Sequence, residues 1–231
     1  MISRLLLTLL SLTALHSFAA EGAAAKPETG DKAAMPGETK LKSFSYDFEA
    51  WEEGVPPQEI FVIDGTVRIA KKDAAKTLMI DYNPIVDAGA QLGETANGDA
   101  RISAKVFASK KGRSYPRFGV SVHGSTGHRL IMNCAKKQIE LVKNDEVLKT
   151  APFAWVTDSW TMLKLEVKQT APGSWLISGK AWAANAAEPA DAMITHADEK
   201  LKGQGKCTLW GTPFSEMPIY VDEVKIEVAG K

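Results

Sequence analysis

From Ser45 onward, apolar and polar positions alternate in short runs that Gly, Pro, Asn and Asp interrupt. A period of two places successive side chains on opposite faces, so each run predicts a half-buried β-strand. Glu59-Ile-Phe-Val-Ile63 meets Asp64-Gly65, a two-residue hairpin signal, and resumes as Thr66-Val-Arg-Ile69. Thr77–Tyr82 is a further strand, followed by a looser stretch to Gly98. Arg101–Phe107 alternates with Ile102, Ala104 and Val106 on one face. Arg117–His123 and His128–Cys134 flank a Gly-Ser-Thr-Gly turn. Gln138–Val142 and Glu146–Lys149 flank Lys143-Asn-Asp145 as a second hairpin, and Trp160–Lys168 and Trp175–Trp182 are strands joined through Thr170-Ala-Pro-Gly173. Only Ala183–Lys202 could hold a helix, and Pro189 limits its length. With no βαβ rhythm and no fixed repeat, the pattern predicts an all-β, two-sheet antiparallel β-sandwich of the jelly-roll kind. The closing run Pro218–Val228 answers the opening run from Ser45, which places the two ends of the domain side by side.

The first twenty residues break this pattern. Arg4 followed by Leu5–Leu12, with small residues at Ser17 and Ala19, reads as an export signal cleaved after Ala19 or Ala20. The apolar run is too short for a spanning helix, so the processed chain is expected free of the membrane, in a periplasmic or extracellular space. Residues 21–42 are rich in Ala, Gly, Pro, Lys, Glu and Thr and read as a disordered linker, because they cannot bury enough surface to offset their ordering entropy. The remainder, 43–231, is about 190 residues, a normal size for one all-β domain. Formal net charge is zero, which argues against nucleic acid as a partner, since that demands a basic surface. Cys134 and Cys207 are the only cysteines. They either form one disulfide, which requires their strands to be neighbours, or remain two buried thiols.

The alternation also selects a polar face. If Phe118, Val120 and Val122 point into the core, then Arg117, Ser121 and His123 point away. If Leu130, Met132 and Cys134 are inward, Arg129, Ile131 and Asn133 are outward, and Thr208 and Trp210 alternate with Cys207 and Leu209. As neighbours in one concave sheet, these strands would present Arg117, Ser121, His123, Arg129, Asn133 and Trp210 together. Planar donors beside an indole suit a sugar, whose hydroxyls take hydrogen bonds and whose C–H face stacks on an aromatic ring. Trp182 is the second stacking candidate, whereas Trp51, Trp155, Trp160 and Trp175 stand where rings close the ends of a sandwich. His123 and His128 flank one turn, but a zinc site needs a third protein ligand.

The opening Asp47-Phe-Glu with Gly54-Val-Pro-Pro, then Phe118-Gly-Val-Ser-Val, His128-Arg-Leu-Ile-Met, the Trp160-led strand and the closing Leu209-Trp-Gly…Tyr220-Val-Asp-Glu-Val-Lys-Ile resemble the concanavalin A-like lectin/glucanase superfamily. More narrowly they are similar to its LamG-like and keto-disaccharide-hydrolase-like secreted bacterial branches, over Phe44 to Val228. The resemblance implies a carbohydrate or cell-surface ligand on the concave sheet. It also implies a structural calcium between first and last strands, with Asp47, Glu49 and Asp222 at the matching positions. The Glu-x-Asp-x-x-Glu run that supplies two carboxylates to glycosidases of this fold is absent. The expectation is therefore an exported, non-catalytic binding domain. The alternatives are a hydrolase of the keto-disaccharide type and a structural or adhesive envelope domain.

Overall fold

A computed structural model describes residues 40–82, 87–201 and 203–229. In chain order its strands are β1 (Leu41–Tyr46), β2 (Phe61–Asp64), β3 (Val67–Lys72), β4 (Ala75–Ile80), β5 (Ala88–Ala96), β6 (Ala100–Ala108), β7 (Arg117–Ser121) and β8 (Arg129–Asn133). There follow β9 (Gln138–Lys143), β10 (Glu146–Pro152), β11 (Ser159–Ala171), β12 (Ser174–Ala183), β13 (Ile194–Asp198), β14 (Gly205–Thr212) and β15 (Ile219–Ala229). An eight-stranded sheet runs β13-β12-β11-β6-β15-β4-β3 with β1 also on β15, and a seven-stranded sheet runs β10-β9-β8-β7-β14-β5-β2. All their pairings are antiparallel. This is the two-sheet sandwich that the alternation predicts.

The core lies between the sheets and comes from alternate positions on each. Ile102, Ala104 and Val106 of β6 and Leu163, Leu165 and Val167 of β11 face Phe118 and Val120 of β7 and Leu130 and Met132 of β8, all buried. At ~25 cal/mol per Å² of apolar area removed from water, this interior is the main term holding the fold. The sheets approach closely where Gly179 of β12 meets β8: a Cβ there would lie 2.8 Å from Leu130 Cδ1.

The chain ends pair as expected, with Leu41 opposite Ala229 and Tyr46 opposite Val224. β15 pairs with β4 over Ile219–Val221 and with β1 over Val224–Ala229. A bulge at Asp222-Glu223, with Glu223 at φ 47°, separates the two halves. The extra residue bends the strand there, so one edge serves two partners.

Two local signals kept their turns. Asn144 and Asp145 both adopt positive φ between β9 and β10, the backbone that matches the twist of a two-residue hairpin. Pro172-Gly173 joins β11 to β12. Other expectations are corrected. Asp64-Gly65 turns the chain, but β2 pairs with β5 and β3 with β4, so the turn carries the chain from one sheet to the other. The stretch before Gly98 is β5, whose Ala- and Gly-rich sequence hides its alternation. No helix occurs among the described residues: Ala183–Ala186 forms a tight turn and Ile194–Asp198 adds an edge strand to β12. The strand β1 begins at Leu41, inside the span assigned to the linker, while the export signal lies outside the described residues. Among those residues no helix is long and apolar enough to cross a membrane.

Candidate functional site

The outer face of the seven-stranded sheet is built from residues that the core cannot take. In β7, Phe118 and Val120 turn inward, so Arg117, Gly119 and Ser121 turn outward. Register then aligns rows across the face. One row runs Thr212, Arg117, Asn133, Gln138; the next runs Gly89, Trp210, Gly119, Ile131, Glu140; a third runs Gln91, Thr208, Ser121, Arg129, Val142.

Glu140 is the centre of one end of this face. Its residue is 1% exposed, yet it is on the sheet's outer side. Arg117 Nη2 donates to Oε2 at 3.1 Å, while Asn133 Nδ2 and Gln138 Nε2 donate to Oε1 at 2.9 and 2.8 Å. A buried carboxylate is tolerated only when its oxygens are so occupied. The network fixes a guanidinium and two amides, and Arg117 Nε remains buried without a partner.

Trp210 is the centre of the other end. Glycines stand opposite it on both flanking strands, and a Cβ on Gly89 would sit 3.0 Å from indole Cε3. The indole therefore lies across β5, and its Nε1 donates to Ser121 Oγ at 2.9 Å. The Arg129 guanidinium carbon stands 4.3 Å from the ring centroid, and Arg129 Nη2 donates to the Ser125 carbonyl at 3.0 Å. This cation covers the ring, so the expected bare stacking platform is instead an indole carrying a flat guanidinium. Thr208 Oγ1 lies buried beside it without a partner.

The structure thus gathers Arg117, Ser121, Arg129, Asn133 and Trp210 and separates two other candidates. His123 adopts φ 62° just after β7, and its buried ring sets Nε2 2.8 Å from the Gly98 carbonyl oxygen. Burial lowers its pKa, and the Gly98 contact opposes that only in part. Trp182 pairs with Met162 on the other sheet. Trp160 also departs from its expected place. It faces outward on the eight-stranded sheet in a row with Phe107 and Tyr220, with Lys105 Nζ 5.0 Å from its ring centroid.

The disulfide does not form. Cys134 and Cys207 are free and buried, and β7 stands between their strands. Thr208 is opposite Ser121 and Asn133 is opposite Arg117, which puts the two thiols at opposite ends of β7. A bridge needs Cα atoms within roughly 7 Å.

Asp47, Glu49 and Asp222 do not assemble a calcium cage. Asp47 Oδ1 accepts the Glu49 N–H at 3.2 Å, Glu49 Oε1 the Lys76 N–H at 3.0 Å, and Asp222 Oδ1 the Glu223 N–H at 2.7 Å. Among the described residues no three His, Cys, Asp or Glu side chains gather as a metal site. Burial raises the Asp222 pKa.

Sequence reasoning missed Glu140 and Gln138. Their signal was present: Gln138-Ile-Glu140 places both on one face, and the turn from β8 sets that face beside Asn133. A second carboxylate, Asp87, accepts from Thr212 Oγ1 at 2.7 Å. The other Asp87 oxygen lies 4.0 Å from Arg129 Nη1.

Comparison with known proteins places this architecture. The chain superposes on lectin I-B4 from Griffonia simplicifolia in its metal-free form, with 8% identity, a TM-score of 0.52 and coverage of 80% of this chain and 98% of that one. Lectin II from Ulex europaeus gives 10%, 0.50, 81% and 97%. The shared fold is a two-sheet antiparallel jelly roll. A sialidase also matches, with 8% identity and a TM-score of 0.54, over 80% of this chain and 18% of that one. No family model matches the chain, and no curated protein matches it in sequence. At these identities the likeness establishes the fold alone. In this jelly roll the polar rows around Glu140 and Trp210 lie on an outer sheet face.

Proposed function

We propose that the chain is an exported carbohydrate-binding domain whose ligand lies on the outer face of the seven-stranded sheet, between Arg117 and Arg129. The observation that carries this reading is the Glu140 network, which holds Arg117, Asn133 and Gln138 in fixed orientations on the outer face. Planar donors set in advance suit vicinal hydroxyls, because their orientation is not lost again on binding. Arg129, stacked on Trp210, supplies a second planar donor, and Ile131 between them offers an apolar contact for a sugar C–H face. The shared fold with proteins named as lectins supports the same reading.

The test is a glycan array probed with the chain lacking residues 1–20, followed by titration of each hit against Arg117→Ala and Arg129→Ala. Binding that weakens at least tenfold in both variants, with each still folded by circular dichroism at the assay temperature, supports the site. Silence across diverse glycans, or hits unaffected by either substitution, removes it.

A further inference from the structure

We propose that the outer face of the eight-stranded sheet holds a second binding groove, shaped for a neutral polyhydroxylated ring such as a pyranose. A cavity of about 310 Å³ lies there. It sits at the low end for small-molecule pockets, roughly enough for one or two sugar rings. Ser103 of β6 and Met162 of β11 line it together with the indole of Trp182.

The segment after β12, the one stretch whose sequence could hold a helix, shapes one side. Beyond β12 the chain turns at Ala183–Ala186 and returns to the sheet at Met193, whose N–H donates to the Gly179 carbonyl at 3.0 Å. Glu188, midway along, is held down by Lys164 Nζ at 2.8 Å and Lys180 Nζ at 3.1 Å. Lys180 also donates to the Pro189 and Ala190 carbonyls at 2.7 and 3.1 Å. Hydrogen bonds from Lys164 and Lys180 keep the Glu188 carboxyl below the usual range. The wall is thus fastened to the sheet. The facing side is β15, through Glu223, Lys225 and Glu227.

The charge of the lining selects the ligand. Arg101, Lys164 and Lys225 are balanced by Glu188, Glu223 and Glu227, so the groove has no net charge to match an anionic or cationic ligand. It does offer both donors and acceptors, which hydroxyl groups satisfy and a phosphate or carboxylate does not. Arg101 is held between Glu166 at 3.0 Å and Glu227 at 2.8 Å, and its Nε is buried without a partner. Trp182 differs from the neighbouring aromatic residues on this face. Lys72 lies over Phe107 at 4.3 Å and Lys105 over Trp160 at 5.0 Å, whereas no cation stands over Trp182 among the described residues. Its half-buried ring is free for an apolar sugar face. The groove and the Glu140 face are on opposite sides of the sandwich, so one molecule could bridge two polysaccharide chains and gain avidity.

The test is affinity electrophoresis in native gels containing a soluble neutral β-glucan, xylan or galactomannan, with polygalacturonate as the acidic comparison. Retardation by a neutral polymer that weakens at least fivefold in both Trp182→Ala and Ser103→Tyr, and survives in Trp182→Phe, supports the groove. Ser103→Tyr fills the cavity while leaving the indole, and decides the matter alone if Trp182→Ala fails to fold. Migration of both variants like wild type in every gel overturns the proposal, as does retardation confined to polygalacturonate or absent altogether. Arg129→Ala separates the two faces: if it binds normally while Trp182→Ala does not, the groove stands and the Glu140 face falls.

Discussion

Acidification is expected to weaken this fold chiefly through His128. Its ring is wholly buried, and neither Nδ1 nor Nε2 has a hydrogen-bond partner. The charged groups around it are Lys143, Asp198, His196 and His123. Asp198 Oδ2 is 3.4 Å from Nε2, but that oxygen already takes Lys143 Nζ at 2.6 Å. Burial first, and then the Lys143 charge, press the His128 pKa from 6.5 down to about 4. The ring is therefore neutral in the folded protein while the unfolded chain protonates near 6.5. Stability from this group is full above that value and falls as pH drops toward 4. At ~1.4 kcal/mol per pKa unit the complete loss is roughly 3 kcal/mol, of which about 2 kcal/mol is gone by about pH 5. For a chain of this size that corresponds to a melting temperature lower by roughly 4–8 °C. Urea unfolding of wild type and His128→Phe between about pH 7.5 and 5 measures it. Because the ring swap also alters packing, the quantity compared is the slope against pH, which should be shallower by about 2 kcal/mol over the interval. Equal slopes in the two proteins, or an NMR titration of His128 with a midpoint near 6.5, would refute the reasoning.

Other substitutions probe the site and the core. Glu140→Ala leaves Arg117, Asn133 and Gln138 without their shared acceptor and should cost about 2 kcal/mol in chemical denaturation; a neutral result would mean that solvent replaces the carboxylate freely. Gly179→Val drives a side chain into Leu130 across the core and should cost about 1–3 kcal/mol, read by the same melts. Burial raises both thiols, with Cys207 pushed up to about 12. A thiol reagent should therefore label neither cysteine in the native protein and both in denaturant, and a reductant should leave the melting temperature unchanged. Labelling of neither in denaturant would reveal a bridge and contradict the strand order.

Much of this protein was legible in its sequence because burial is written locally. Side chains alternate across a strand, so Phe118, Val120, Leu130 and Met132 declare the core, and Arg117, Ser121, Arg129 and Asn133 declare the opposite face. Turns such as Asn144-Asp145 are equally local, since two residues set the backbone dihedrals. Strand partners are not local. Nothing within Asp64-Gly65 tells β2 to pair with β5 or β3 with β4, and nothing near either cysteine reveals that β7 lies between them. The same limit hid the site's chemistry. Register brought Glu140 beside Asn133, laid Arg129 over Trp210, and sent Trp182 to the other sheet. Period and composition decide which face a residue takes, whereas the hydrogen-bonded order of strands decides which residues share that face. That order is settled only when distant segments pack into one interior.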